Sequence, residues 1–448
     1  MMRSSYNHRR NIKETDIMLD NQALNHLIHF LKAGVSPYHT VSHAADTLDA
    51  AGFQALDFKA PWALEKGKSY YCRTFSGELF AFRIGTHAVL ENGVRIAAGH
   101  VDWPCLRIKP APTFSKQGYL QANVEVYGGP ILSTFFDRPL SIAGKITLRS
   151  QDILHPEVRY IDLKKPVCIV PNLAIHMNRQ VNDGVAIDKQ LHMMPVLGMI
   201  QEQLNEHDRL LEYIAAHENV AYDDILDYEL CLYNMDEPAF VGLSDEFLSA
   251  PRLDDTTAVS AIVHGLIDST PDDVISLGAL FDNEEVGSHT KQGADALMLN
   301  FVLEKIWAAF GKSGHECYAD LAGSMILSID VGHGYHPNYP STFDITTLPV
   351  LGSGFVIKTD SNQKYAWDSE AVGALLQLCQ HAHIPCQRFA KRSNVAGGGT
   401  IASLISAHIP VKTVDMGVPL LSMHSARELM GAADQEALEN AVRSFMSL

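Results

Sequence analysis

The sequence predicts an α/β fold: a mostly parallel sheet covered by helices on both faces, with an inserted β-rich domain. From about residue 250 onward, helical periodicity alternates with short apolar runs, as in consecutive βα units. The runs at 94–98 and 274–281 are rich in apolar residues, as strands buried on both faces are. Between about 109 and 236 this pattern gives way to short alternating strands and polar turns, which indicates the insertion.

The elements follow in chain order. Residues 19–50 predict amphipathic helices, because apolar side chains recur there at three- and four-residue intervals. Strands are predicted over 70–75, 79–84 and 94–98, with Ser-Gly and Asn-Gly turns between them. Inside the insertion, strands are predicted over 119–127 and 140–148. The later βα pattern predicts helices over 256–267, 294–310, 369–383 and 400–407, and strands over 274–281, 325–329 and 411–416.

A chain of 448 residues is too long for one hydrophobic core and predicts at least two domains. We expect a discontinuous domain formed by 1–107 and 240–448, and an inserted domain over 108–239. This division follows the change in strand pattern described above.

Composition excludes several classes of function. The chain has 52 acidic and 35 basic residues, and the net charge of −17 opposes binding to nucleic acid or an anionic membrane. No stretch reaches the roughly 18 apolar residues of a spanning helix, and residues 1–18 are polar, so a cytoplasmic location is expected. The seven cysteines are scattered without C-x-x-C spacing, which indicates neither a disulfide framework nor a thiolate zinc site.

Acidic and imidazole side chains stand where predicted strands end. His100 follows the strand at 94–98, Glu284 and Glu285 follow 274–281, and Asp330 follows 325–329. Asp254 precedes the helix predicted over 256–267. His424 lies in the loop after the strand predicted over 411–416. Because ligands of open α/β sheets bind outside the carboxyl ends of the strands, we expect these positions to converge. A single residue of this kind is usually a cap or a surface charge, so the prediction depends on the set.

This set of residue types suits a two-metal hydrolase. Carboxylate oxygens and neutral imidazole nitrogens are ligands that zinc, manganese and cobalt accept. Adjacent residues at a strand end point in different directions, so one of Glu284 and Glu285 can bind a metal while the other acts as general base. Two divalent metal ions per chain are therefore expected, most simply Zn²⁺, with Mn²⁺ or Co²⁺ as alternatives.

Five sequence blocks resemble the M18 aspartyl aminopeptidase family. They are GHVDWPCL at 99–106, PRLD at 251–254, FDNEEVGS at 281–288, DVGHGYHPNY at 330–339 and MHS at 423–425. The resemblance spans nearly the whole chain in the expected order. It implies a zinc-exopeptidase fold whose inserted β-domain serves oligomerisation or regulation. It also implies zinc-dependent removal of N-terminal residues, typically acidic ones, from peptides with a free N-terminus, by a cytosolic homo-oligomer, a tetrahedral dodecamer.

The resemblance also implies a role for each matched residue. Asp254 would bridge two metals, His100 and Asp330 would complete one site, and Glu285 and His424 the other. Two further roles are implied: Glu284 would be the general base, and Asp102 would orient the ring of His100.

Further positions match family residues while keeping simpler interpretations. His336 resembles a histidine near the transition state, or is a packed loop residue. His176 resembles a histidine that reaches a neighbouring subunit's site, or is a polar residue on a strand. Lys358 matches a lysine of the substrate pocket, although most lysines are solvated. Gly398 and Gly399 could present N–H groups to a substrate carboxylate, or form a plain turn. The stretch 393–400 lacks the proline of eukaryotic members, so a preference for neutral residues stays open.

Other chemistries lack their motifs. The sequence contains no H-E-x-x-H, no G-x-S-x-G, no Walker loop and no G-x-G-x-x-G after a strand. Two rivals remain. A related dimetal amidohydrolase or carboxypeptidase would carry an arginine clamp for a substrate carboxylate. A non-catalytic scaffold of the same fold would have lost a ligand or the base.

Overall fold

The computed structural model describes residues 21–184, 186–200 and 208–448. The segment 1–18 and the first residues of the predicted helical region lie outside this part. The described residues form ten α-helices. They are α1 (Gln22–Ala33), α2 (Pro37–Ala50), α3 (Lys189–His192), α4 (Arg209–Glu218), α5 (Leu253–Ile267), α6 (Met298–Ala309), α7 (His315–Leu321), α8 (Ser369–Ala382), α9 (Ile401–His408) and α10 (Asp434–Phe445).

The strands within these described ranges fall into three sheets. The first ten are β1 (Gln54–Ala55), β2 (Ser69–Arg73), β3 (Leu79–Ile84), β4 (Val94–His100), β5 (Cys105–Lys116), β6 (Tyr119–Tyr127), β7 (Leu140–Leu148), β8 (Glu157–Asp162), β9 (Val196–Met199) and β10 (Ile225–Asn234). The other ten are β11 (Ala239–Val241), β12 (Phe247–Ala250), β13 (Ile275–Phe281), β14 (Met325–Ile329), β15 (Gly332–His333), β16 (Phe355–Thr359), β17 (Cys386–Ala390), β18 (Lys412–Gly417), β19 (Pro419–Leu421) and β20 (Glu428–Gly431).

The largest sheet has nine strands in the order β1-β2-β3-β13-β4-β14-β18-β16-β17. Its centre, β13-β4-β14-β18, is parallel, while β3 and β16 join antiparallel. Apolar side chains of α1, α2, α5, α8 and α10 cover one face, and those of α6 and α9 cover the other. The predicted α/β architecture is confirmed. Because β13, β4 and β14 run parallel as neighbours, the residues that follow them meet at one edge.

A six-stranded antiparallel sheet lies between β4 and α5 in the chain. Its order is β8-β7-β10-β5-β6-β9, and it has its own apolar core, to which α4 contributes. The β-rich character predicted for this part of the sequence is therefore found. The sheet begins at Cys105 and its last strand ends at Asn234, and the boundaries 107/108 and 239/240 stay predictions.

A third sheet, absent from the sequence expectations, has the order β11-β12-β20-β19-β15. Its strands are two to four residues long, too short for a periodic pattern. The sheet places the start of α5 beside the loop between β19 and β20. It thereby brings Asp254 and His424, which are far apart in sequence, to the same edge as the strand ends of the largest sheet.

No helix among the described residues combines the length and apolar character needed to cross a membrane.

Candidate active site

A cavity of about 530 Å³ opens where the central parallel strands end. The wall contains predicted site residues from separate parts of the chain: Asp254, Glu284, Asp330, His336, Lys358, Gly398, Gly399 and His424. His100, Asp102 and Glu285 lie nearby and are buried or partly buried. The predicted convergence of sequence-distant residues is thus present in the structure.

One group of side chains has the form of a cation site. His100 ends β4, Asp330 follows β14, and Asp254 and Asp255 lie in the first turn of α5. Their nearest oxygen and nitrogen atoms all lie within 4.8 Å of one another. His100 Nε2 is 3.4 Å from Asp254 Oδ1 and 3.8 Å from Asp330 Oδ1. Such separations are close to the roughly 3.4 Å between two ligands of one tetrahedral zinc ion.

A second group shares Asp254 with the first. His424 Nε2 lies 3.3 Å from Asp254 Oδ2 and 3.5 Å from Glu285 Oε2. The two oxygens of Asp254 therefore face different histidines, since Oδ1 is directed to His100. This arrangement suits a carboxylate that bridges two cations.

The histidines are oriented for ligation through Nε2. The Nδ1 atom of His100 is 3.1 Å from the main-chain oxygen of Asp102, and that of His424 is 3.1 Å from the main-chain oxygen of Gly129. A carbonyl oxygen only accepts, so a neutral ring carries its proton on Nδ1 and leaves the Nε2 lone pair free. Both free nitrogens face the carboxylates.

Several buried oxygens in these groups lack a donor. Asp254 Oδ1, Asp255 Oδ1 and Glu285 Oε1 accept no hydrogen bond from the described chain. Buried carboxylates without donors are costly unless a cation or proton neutralises them. The donor set and these unpaired atoms therefore fit divalent metal ions.

The electrostatics reflect the same excess of acid. Burial lowers the pKa of His100, but Asp255 and the other carboxylates raise it more, so the pKa lies well above the ordinary value. Burial also lowers the pKa of His424, but Asp254 raises it more, so the pKa is about 9. Burial, with Asp254 and Glu284 nearby, raises the pKa of Glu285 well above its ordinary value. The carboxylates together attract positive charge to this site.

Glu284 and Glu285 form a short 3₁₀ turn after β13, preceded by Asn283 in the left-handed conformation at φ 65°. The two carboxylates face different surroundings: Glu285 lies beside His424, and Glu284 faces the cavity. Burial raises the pKa of Glu284 to about 8, and Asp330 adds to this increase. Gly128 comes so near that a Cβ there would lie 3.1 Å from the Cβ of Glu285.

Two buried carboxylates hold the main chain of this site. Asp102 accepts hydrogen bonds from the N–H groups of Glu284 at 3.0 Å and Glu285 at 3.2 Å. Its Oδ1 is also 3.4 Å from His100 Nδ1. The second carboxylate, Glu428, accepts hydrogen bonds from the N–H groups of Asp254 at 3.0 Å and His424 at 2.8 Å.

Sequence reasoning did not assign Glu428 or Asp255 to the site. The only signals were proximity in sequence: Asp255 adjoins Asp254, and Glu428 follows His424 by four positions.

Lys358 lies on β16 with 1% of its surface exposed, although the cavity reaches it. Its Nζ is 3.0 Å from Asp415 Oδ1 and 3.5 Å from Asp330 Oδ2. Burial lowers the pKa of Lys358, but the two carboxylates raise it more, so the ammonium stays charged. Asp415 also accepts a hydrogen bond from the hydroxyl of Thr400. Lys358 is therefore paired with a predicted metal ligand as well as facing the cavity.

The remaining candidates fall into two groups. His336 and the main chain at Gly398 and Gly399 form part of the cavity wall. His176 does not: it is exposed on a turn of residues 175–177, so its alternative interpretation as a strand residue is wrong. Short turn segments flanked by apolar residues resemble strands in sequence, and here the bond from Met177 N to Ala174 O closes a turn.

Comparison with known proteins agrees with this site. The family described as aminopeptidase I zinc metalloprotease (M18) matches residues 30–446. The chain is 40% identical over 425 residues to a probable M18 family aminopeptidase 2 of Clostridium novyi, covering 95% of this chain and 98% of that protein. It is 39% identical over 423 residues to the protein of the same name from Ectopseudomonas mendocina, and the match covers 94% of this chain and 97% of that protein.

Solved structures give the same result. Ape4, determined by cryo-electron microscopy in complex with Nbr1, superposes with a TM-score of 0.90 at 31% identity, covering 95% of this chain and 85% of that one. The crystal structure of prApe1 superposes with a TM-score of 0.87 at 29% identity, and the match covers 96% of this chain and 95% of that one. The structure of mApe1 from Chaetomium thermophilum superposes with a TM-score of 0.84 at 27% identity, and the match covers 95% of this chain and 98% of that one. The chain belongs to the M18 family of zinc metalloaminopeptidases and is a hydrolase.

Proposed function

We propose that this aminopeptidase uses two divalent cations and Glu284 to hydrolyse the first peptide bond of its substrate. The observation that carries the proposal is the position of Asp254, whose two oxygens face His100 and His424 separately. His100, Asp254 and Asp330 would hold one ion, and Asp254, Glu285 and His424 the other. Zn²⁺ is the most consistent ion for this ligand set, and Mn²⁺ or Co²⁺ are alternatives.

A divalent cation held by these residues would supply Lewis-acid chemistry, polarising a carbonyl group and lowering the pKa of water. The chain supplies the proton transfer. Glu284 has no ion-pair partner within the described chain and faces the cavity, so its carboxylate can accept a proton from water and give it to the leaving amine. Asp102 fixes the main chain beneath Glu284, which keeps this carboxylate in place.

We propose peptides with a free N-terminus, preferably acidic, as substrates. Lys358 places a positive charge at the cavity wall. Gly398 and Gly399 have no side chains, so they contribute main-chain groups to the same wall. The described residues that line the cavity include no arginine, so the clamp expected of a carboxypeptidase is not found among them. A preference for neutral residues remains the alternative, because Lys358 is already paired with two carboxylates.

We also propose a homo-oligomer, a dodecamer by resemblance, in the cytoplasm. The mApe1 protein of Saccharomyces cerevisiae was solved as a dodecamer. In the present chain, apolar side chains are exposed on both sides of His176: Leu173 is 52% exposed, Ile175 50% and Met177 76%. Burying such a patch against another copy would remove apolar surface from water. Subunit contacts here would bring His176 to a neighbour.

A substrate panel tests the proposal. Peptides that begin with Asp, Glu, Leu or Ala, each free or N-acetylated, are incubated with the metal-loaded chain, and released residues are quantified. We expect release of one residue at a time from free N-termini, fastest for Asp and Glu. Faster cleavage after Leu or Ala would replace the acidic preference with the neutral one. Cleavage of acetylated peptides alone would support the amidohydrolase instead.

A further inference from the structure

The six-stranded sheet reaches the proposed general base through a tyrosine. Tyr127 ends β6 and is 8% exposed. Its hydroxyl donates to Asp102 Oδ2 at 2.6 Å and accepts from Asn283 Nδ2 at 3.0 Å. One oxygen atom therefore contacts both the carboxylate beneath the Glu284–Glu285 turn and the residue that begins the turn.

These two contacts restrain the turn at separate points. Asp102 binds the N–H groups of Glu284 and Glu285, so a rotation of its carboxylate would release one of them. Asn283 has the left-handed conformation, and its side-chain oxygen also accepts from Thr290 Oγ1 at 2.9 Å. Loss of the tyrosine oxygen would leave the Asn283 amide one partner short and remove the shortest hydrogen bond to Asp102.

The sheet in turn fixes the tyrosine ring. The guanidinium carbon of Arg107, on β5, lies 3.5 Å from the ring centroid. Trp103, Cys105 and Cys231 form one buried apolar cluster with Tyr127. A stacked guanidinium and a tight apolar contact leave the hydroxyl little freedom.

We propose that the Tyr127 hydroxyl is a positioning group: through Asp102 and Asn283 it holds Glu284 and Glu285 in their working orientation. The six-stranded sheet thereby supports the catalytic site of its own subunit. The kinetic part of this inference rests on the proposed roles of Glu284 and Glu285, whereas the structural part does not.

The test compares Tyr127→Phe with Tyr233→Phe in the full-length, metal-loaded protein. Tyr233 is a matched control, because it is 6% exposed, lies on β10 of the same sheet, and donates to Asp162 Oδ1 at 2.7 Å. Amide hydrogen exchange of the peptide 282–288 is the first readout. We expect exchange there to be at least about tenfold faster in Tyr127→Phe and unchanged in Tyr233→Phe, because only the first variant loosens the carboxylate that binds these amides.

Kinetics give the second readout. Residues that orient ligands typically change activity by about 10- to 100-fold, so kcat of Tyr127→Phe should fall within that range while KM changes less than about threefold. Tyr127→Phe should cause a smaller loss when added to Asp102→Ala than when made alone, because the contact with Asp102 is then already absent and only the contact with Asn283 remains. Independent, multiplicative losses would contradict the inference.

Two other results would overturn it. One is unchanged exchange of 282–288 in Tyr127→Phe. The other is an equal effect of Tyr233→Phe, which would indicate general loosening of the sheet. Because exchange needs no turnover, it remains decisive even if the wild-type chain released no N-terminal residue, an outcome that would contradict only the proposed function.

Discussion

At the residue scale, the site separates two identical side chains by their surroundings. Glu285 lies 3.5 Å from His424, and one of its oxygens has no donor among the described residues, whereas Glu284 faces the cavity. Both amides are held by Asp102, so the difference lies in where the side chains point. Adjacent residues of one type can therefore perform ligation and proton transfer separately.

This separation predicts different effects of two conservative substitutions. Glu284→Gln should retain both metals yet lose roughly 10²- to 10⁴-fold in kcat, the usual contribution of a general base. Glu285→Gln should lose metal as well, because an amide is a weaker ligand than a carboxylate. Elemental analysis of both dialysed variants provides the comparison. Equal depletion of metal in the two would show that the assigned division is wrong.

Lys358 predicts a loss that depends on the substrate. Lys358→Ala should weaken hydrolysis of all peptides, because Asp330 loses its partner at 3.5 Å. Peptides beginning with Asp or Glu should lose roughly a further 1.5–3 kcal/mol in kcat/KM, the usual contribution of a charge-assisted hydrogen bond. Lys312→Ala is the control, since Lys312 pairs with Asp320 at 2.8 Å outside the described cavity wall. Identical losses on acidic and neutral peptides would remove Lys358 from substrate selection.

The sequence was informative about residues that stand at strand ends. The position after an apolar run marks His100, Asp330 and the Glu284–Glu285 pair. The structure places His100, Asp330 and Glu285 in the two possible cation sites and Glu284 in the adjoining cavity wall. Asp255, Glu428 and Tyr127 were not assigned. Their contacts join main-chain groups and side chains that only the packing of three sheets makes neighbours, so no local pattern marks them.

At the element scale, α5 joins the site to the core. Asp254 and Asp255 lie in its first turn, and its apolar side chains pack with those of α10. Gly265 permits this approach, because a Cβ there would lie 2.7 Å from a methyl group of Val442 and 3.1 Å from the main-chain nitrogen of Arg443. The position of Asp254 thus depends on a close contact between two helices.

Two helical glycines should therefore respond in opposite ways to alanine. Gly265→Ala should destabilise the chain by roughly 1–3 kcal/mol, because the added methyl overpacks a backbone contact. Gly373→Ala, in α8, should stabilise by about 0.5–1 kcal/mol, since a Cβ there meets nothing within 4 Å and alanine favours helix. Thermal unfolding measures both. A rise in melting temperature for Gly265→Ala would contradict the close approach of α5 and α10.

Long periodic elements were predictable, and short ones were not. The strand over 325–329 coincides with β14, and most predicted helices agree within a few residues. The five-stranded sheet was missed, as was β16, where Lys358 interrupts an apolar run. Strands of two to four residues contain less than one period of any pattern, and a buried charged residue resembles an exposed one in sequence.

At the scale of the whole molecule, the segment between β4 and α5 has two regions with different surroundings. Tyr127 and Gly129 contact the catalytic site of the same chain. Elsewhere on the inserted segment, the turn with His176 is exposed among apolar side chains and lies outside the cavity wall. If that turn serves catalysis, it must do so in an assembly.

This predicts that activity depends on the oligomer. His176→Ala should lower kcat while assembly persists, whereas His155→Ala, an exposed histidine of the same inserted part, should behave as wild type. Dilution that dissociates the oligomer should also reduce specific activity. Light scattering and assay on the same samples follow both quantities. A fully active monomer would show that each chain contains a complete site.

In the proposed mechanism, two cations would share Asp254 and support removal of an N-terminal residue. Its most direct test removes metal with a chelator, confirms removal by elemental analysis, and restores zinc, manganese or cobalt in measured equivalents while residue release is followed. We expect loss of activity on removal of the metal and recovery that is complete at two equivalents per chain. Hydrolysis by the metal-free chain, or full recovery at one equivalent, would contradict it.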